Sequence, residues 1–145
     1  MRSLSHLLAK FERVHIHFVA PPELQMQPDV LEHLERSGVP YTLEQDIEKV
    51  LAEADVIYQT RIRPDRLTEP ARLRFTIDSD MVHRMKPDAI ILHPLPRTVE
   101  LDKTVDDDPR ARYFRQAENG LYVRMALLAM LLDPDEGGVR PGPRP

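Results

Sequence analysis

The sequence predicts an α/β fold, a parallel sheet with helices on both faces. Two observations carry the prediction. Short strand-like runs alternate with amphipathic helical runs, and short loops join them; that alternation is the pattern of parallel strands with crossover helices. One run, Ala89 to Leu92, is apolar throughout and reads as a buried strand.

The elements follow in order. Leu4, Leu7, Leu8 and Phe11 fall at helical spacing, which predicts a helix from Ser3 to Phe11. Val14 to Ala20 alternates as a strand and is ended by Pro21-Pro22. Pro28 to Ser37 predicts a helix with Val30, Leu31 and Leu34 inward and Gly38 as its C-terminal cap. Tyr41 to Leu43 reads as a short strand. Asp46 to Ala54 reads as a helix, with Asp46 as N-cap and Ile47, Val50 and Leu51 inward. Asp55 to Gln59 is the next strand, and Pro64 to Arg74 is polar loop. Asp78 to Lys86 is a helix that Pro87 stops. After the strand Ala89 to Leu92 and an acidic loop, Glu100 to Asp108, Asp108-Pro109 supplies an N-cap and a first-turn proline. The last helix is expected from there to about Leu132, with an apolar stripe of Phe114, Ala117, Leu121, Met125, Leu128 and Leu132. Residues 133–145 are charged and rich in Pro and Gly, the composition of a disordered tail. The domain is expected to span residues 1–132. The arrangement is Rossmann-like, yet it opens on a helix where such units begin with a strand at the sheet centre, so it reads as lacking its first strand.

Composition narrows the function. At 145 residues the chain is one domain. Hydrophobic residues make up 41% and charged residues 30%, enough for a core and for solubility. The formal charge of −4 makes nucleic acid an unexpected partner. No run approaches the roughly 20 apolar residues of a membrane span, and Met1 to Lys10 lacks a signal-peptide core. The absence of Cys excludes disulfides and Cys-based metal sites, which suits a cytoplasmic location. His15 and His17 share one strand face, and polar surface is the reading preferred over a metal pair. No metal or cofactor is expected.

The densest local signal is His93-Pro94-Leu95-Pro96-Arg97, directly after the strand Ala89 to Leu92. Two prolines remove two backbone donors and fix two φ angles, so the chain leaves the sheet in a stiff shape. The carboxyl end of a strand in an open α/β sheet is where ligands bind. A second signal is Tyr113-Phe114-Arg115-Gln116-Ala117-Glu118-Asn119-Gly120, and a third is Tyr58-Gln59-Thr60-Arg61-Ile62. Together these resemble the carboxyl-terminal, aspartate-binding domain of the aspartate carbamoyltransferase family, over roughly Ser3 to Leu132. Pro94 favours the aspartate branch over the ornithine branch, which typically carries His-Cys-Leu-Pro at the corner.

The resemblance implies attack of the aspartate amine on carbamoyl phosphate, giving carbamoyl-aspartate and phosphate in pyrimidine synthesis. It implies that Arg61 grips an aspartate carboxylate, as a guanidinium fork suits. Leu95 and Pro96 are expected to offer backbone groups to carbamoyl phosphate across a cis bond. His93 and Pro94 are expected to orient the corner rather than transfer protons. Arg66, Arg97 and Glu100 are expected to make domain-closure contacts. The substrates implied are L-aspartate and carbamoyl phosphate; the partners are a carbamoyl-phosphate-binding domain or subunit and further copies in a homo-oligomer, a trimer in the family.

The chain also departs from the family. Arg63 stands at a substrate-contacting glutamine position, and Val99 at an acidic or amide position. The loop between Arg66 and Phe75 is short. Only Ser3-Leu4 remains of an Arg-x-x-x-Ser-Leu turn, and no Gly-rich phosphate loop is present. The expectation is therefore the aspartate-binding half of the enzyme, without catalytic residues of its own and inactive alone. The alternative is a non-catalytic truncated paralogue that binds a carbamoyltransferase subunit.

Overall fold

The computed structural model describes residues 1–61 and 74–132. Helix α1 is Arg2–Leu8, followed by strand β1 at Ile16–Val19. A 3₁₀ turn at Pro22–Leu24 leads into α2, Pro28–Arg36, and β2, Tyr41–Glu44. Helix α3 is Glu48–Leu51 and β3 is Val56–Tyr58. Helix α4 is Ser79–His83, β4 is Ile90–Leu92, and a 3₁₀ turn at Lys103–Val105 precedes the long α5, Tyr113–Leu132.

Among the described residues all strand pairing is parallel, as expected, and it forms two ladders rather than one sheet. β1 pairs with β2 in the register Ile16 to Tyr41, and β3 pairs with β4 in the register Val56 to Ile90. Among the described residues β1 and β3 do not pair with each other. Each ladder has its own apolar cluster. Ile16 and Phe18 of β1 pack with Leu34 and Val39. The larger cluster gathers Val50, Leu51, Ile57, Ile77, Val82, Ile91, Leu101 and Tyr113, and Val19 of β1 packs against it. Ile77 is fully buried at its centre. Ile77→Val removes one methylene and lowers unfolding free energy by about 1 kcal/mol in urea titration.

Local chemistry accounts for most element ends. Gly38 caps α2 with φ 69, and Val39 N–H reaches back to the Leu34 carbonyl at 3.0 Å. Asp78 caps α4 by accepting from Met81 N–H at 2.8 Å. Asp46 does not cap α3; its carboxylate accepts from Glu48 N–H in a local turn. The last helix starts at Tyr113, not Asp108. Residues 110–112 run beside β4 instead, with Ile91 N–H on the Arg110 carbonyl at 2.8 Å and Arg112 N–H on the Ile91 carbonyl at 2.9 Å. That pairing extends the β3–β4 ladder by one edge.

Along α5 only Tyr113 is buried. Leu121, Tyr122, Met125, Leu128 and Leu131 are each more than half exposed. The exposed apolar face thus extends beyond the expected stripe. The tail and the loop residues Arg63 and Arg66 lie outside the described residues.

Candidate functional site

The site is built where β4 ends. His93 follows the strand directly and is buried. Its ring is held on both sides. Nδ1 accepts from Leu95 N–H at 2.9 Å, and Nε2 lies 3.0 Å from Glu100 Oε1. A backbone N–H can only donate, so Nδ1 is the bare nitrogen and Nε2 carries the hydrogen. Both ring nitrogens are thus engaged within the chain. His93 N–H donates to Gln116 Oε1 at 2.9 Å, and the Gln116 amide reaches the Tyr58 hydroxyl at 3.4 Å. Gln116 thereby joins α5, the corner and β3.

Leu95 has φ 43, and the Leu95-Pro96 bond is cis. Pro94 and Pro96 are exposed and Leu95 is half-buried. These residues present a preset backbone surface at the carboxyl edge of the β3–β4 ladder.

Glu100, expected to make a closure contact, faces inward in this conformation. It is fully buried, so no solvent-facing ion pair is open to it in this conformation. Oε1 accepts from Thr98 N–H at 2.9 Å as well as from His93, and Oε2 accepts from the Thr98 hydroxyl at 2.5 Å. Burial alone would raise the pKa of this carboxyl. The Thr98 hydroxyl and N–H, its own N–H and His93 overcome that and hold it below the usual range. Its backbone is fixed too, because Ile77 N–H donates to the Glu100 carbonyl at 3.0 Å.

Arg97 also has an internal partner. Its guanidinium forks onto Asp106, with one bond of 2.6 Å, and lies 5.8 Å from the Tyr113 ring centroid and 5.9 Å from that of Phe114. The buried Tyr113 hydroxyl donates to Asp106 at 2.5 Å; burial first, then that hydrogen bond, pushes its pKa up. Arg97 thus packs the start of α5 against the corner, a role not visible in its sequence context.

Arg61 lies just past β3. Gln59 N–H donates to the Leu92 carbonyl at 2.9 Å, so the ladder continues to the corner and Arg61 follows two positions later. Its side chain is exposed and makes no hydrogen bond or ion pair with a described residue. An open cleft of about 310 Å³ is lined by His93, Pro94, Gln116, Ala117, Gly120 and Arg124. Sequence reasoning missed Arg124 and Gln116 as site residues. Gln116 ends the Tyr-Phe-Arg-Gln motif, and Gly120 and Arg124 follow it four and eight residues later on one helix face, which was the available signal. Elsewhere, His17 Nδ1 sits 2.8 Å from the Thr42 hydroxyl, and the His15 and His17 rings stack at 4.3 Å.

The carboxylates of this region give a pH prediction. Asp106 is held low by the Arg97 fork, Glu100 by the contacts above, and Asp108 falls to about 2 beside Arg110. Each folded value lies below the unfolded one, so each contributes stability above roughly pH 4 that is lost as pH falls through the folded value. The share of stability these carboxylates contribute, followed by thermal melts, should be level from neutral to weakly acid pH and then fall steeply toward the Asp108 value of about 2. Asp108→Asn should flatten the lowest part of that fall.

Comparison with known proteins agrees with the motifs. Residues 1–131 match the family described as aspartate/ornithine carbamoyltransferase, Asp/Orn binding domain. The chain is 48% identical over 138 residues to the chloroplastic aspartate carbamoyltransferase of Arabidopsis thaliana, covering 91% of this chain and 35% of that protein. It thus spans about a third of the length of the curated relatives it matches. Ligand-free aspartate transcarbamoylase from Trypanosoma cruzi superposes with a TM-score of 0.81 at 39% identity, over 88% of this chain and 43% of that one. The same enzyme in complex with carbamoyl phosphate and aspartate gives a TM-score of 0.79 at 38% identity, over 88% and 42%.

Proposed function

The chain belongs to the aspartate/ornithine carbamoyltransferase family through its Asp/Orn-binding domain, and we propose that it is the aspartate-binding half of an aspartate carbamoyltransferase. The observation that carries this reading is the juxtaposition at one ladder edge. Arg61 follows β3, and the Pro94-Leu95-Pro96 backbone follows β4. In the reaction the aspartate amine attacks the carbamoyl carbon, a C–N bond forms, the C–O bond to phosphate breaks, and the amine loses a proton. Arg61 holds an aspartate carboxylate. The carbamoyl NH₂ is a donor and needs acceptors, and a proline carbonyl beside a position with no N–H supplies one without competition. Arg124 adds a guanidinium to the lining of the adjacent cleft.

The phosphate and the charge building on the carbamoyl oxygen need further donors. No Gly-rich phosphate loop occurs in this sequence, so those donors come from a carbamoyl-phosphate-binding half. The exposed apolar length of α5 supports docking of such a partner. Alone, the chain should yield no carbamoyl-aspartate, because joint positioning of both substrates supplies a large part of the rate, on the order of 10⁵ or more in effective molarity.

The test is thermal unfolding of the chain with aspartate, then with the carbamoyl-phosphate-binding half and a bisubstrate analogue. A melting temperature that rises with the half and analogue together supports the reading. Val99, exposed where the family carries an acidic or amide group, favours a second reading, a non-catalytic paralogue that binds a carbamoyltransferase subunit. A chain that co-purifies with that half yet shows no response to the analogue would support it instead.

A further inference from the structure

We propose that Glu100 is a positioning residue, acting on the Leu95 backbone through the His93 ring. The inference rests on the reading of the corner as the carbamoyl-facing surface and says how that surface is kept in shape. Leu95 sits at φ 43, a left-handed conformation that residues with a Cβ seldom adopt without support from their surroundings. The hydrogen bond that meets its N–H is the one to His93 Nδ1, at 2.9 Å.

That bond exists in one tautomer alone. A protonated Nδ1 would face Leu95 N–H donor to donor. What selects the tautomer is the group at the other nitrogen, and that group is Glu100 Oε1 at 3.0 Å. An ionised carboxylate is acceptor-only, so it draws the ring hydrogen to Nε2 and leaves Nδ1 bare. Thr98 keeps Glu100 in that role, since its N–H and hydroxyl both donate to the carboxylate at 2.9 and 2.5 Å. Both side chains are fully shielded from solvent, so no bulk water can take over at either nitrogen. The parallel bridge between Leu101 and Ile77, with Ile77 N–H on the Glu100 carbonyl, fixes the backbone that carries this buried carboxylate. The order of action is therefore Thr98 on Glu100, Glu100 on His93, and His93 on Leu95.

The test is nitrogen NMR of the isotopically labelled full chain. In the wild type the His93 ring should show Nδ1 bare and Nε2 protonated. A through-hydrogen-bond coupling should join Leu95 N to His93 Nδ1, and another should join Nε2 to the Glu100 carboxylate carbon. E100L should mix the tautomers and lose the Leu95 coupling, whereas E100Q, whose amide oxygen can take the place of Oε1, should keep both. An E100L chain that melts lower but retains the wild-type tautomer and the Leu95 coupling overturns the proposal, because Glu100 would then only pack. Should E100L fail to fold, the wild-type spectrum decides. Both couplings together uphold the proposal, and a protonated Nδ1 or a missing Leu95 coupling overturns it. None of these signals needs a substrate, so a chain that failed to bind aspartate or the bisubstrate analogue would sink the reading of the site and leave this one standing.

Discussion

A His93→Phe chain should lose about 3 kcal/mol of unfolding free energy in urea titration, although phenylalanine keeps a flat aromatic ring at the site. The cost comes from what stays behind. Glu100 remains fully buried and loses one hydrogen-bond donor, and Leu95 N–H loses its acceptor. The ring is neutral, so no ion pair is lost; taking a donor from a buried carboxylate costs roughly 1.5–3 kcal/mol, and leaving a backbone N–H without its acceptor costs about 1–3 kcal/mol. The two bonds from Thr98 still satisfy part of the carboxylate, which puts the value at the lower end. Exposed pairs behave differently. Arg2 and Asp29 are 60% and 55% exposed, and breaking a surface pair of that kind costs about 0–1 kcal/mol. The double variant His93→Phe, Glu100→Leu should recover part of the loss, because the buried carboxylate is gone while Leu95 N–H still lacks its acceptor. A double variant as unstable as the single one would mean that the loss is one of shape, not of charge.

That pair also marks the limit of what could be read from the sequence. The corner and the Tyr-Phe-Arg-Gln stretch stood out because proline fixes backbone locally and helical spacing is periodic. Glu100 carries no such mark. It lies in a run with Asp102, Asp106, Asp107 and Asp108, and an acid in acidic company reads as surface. Its burial follows from a ring nitrogen seven positions earlier that needs an acceptor, and no period encodes that spacing. Asp108-Pro109 misled for a related reason. Locally it is a good helix start, but Asp108 is bound by the Arg110 guanidinium at 2.9 Å and residues 110–112 pair with Ile91. A non-local ladder overrode a local cap, as tertiary contacts do when propensities differ by about 1 kcal/mol. The strands themselves were legible one by one. Their division into two ladders was not, because apolar patterning fixes which residues are buried and leaves partner choice open.

Substitution at Arg61 should leave the fold alone and remove most of the aspartate response. The residue is exposed, beyond the last ladder bond, and engages no described residue, so Arg61→Ala should change stability by no more than about 0.5 kcal/mol. Its proposed ligand bond is charge-assisted and is worth roughly 1.5–3 kcal/mol, which weakens aspartate binding on the order of 10- to 100-fold when it is lost. At an aspartate concentration about 100 times the wild-type Kd, ligand stabilisation near 2.7 kcal/mol should drop to about 0.4 kcal/mol in a variant bound 100-fold more weakly. The measurement is the shift in unfolding free energy with aspartate, in the presence of the carbamoyl-phosphate-binding half. Arg61→Lys separates two kinds of contact. A point charge cannot reproduce a two-bond fork, so lysine should recover only a minor part of the response. A lysine variant equal to the wild type would mean that Arg61 supplies field and not geometry. An alanine variant equal to the wild type would mean that the carboxylate is held by another residue, and Arg124 at the cleft beside Pro94 would be the next to replace.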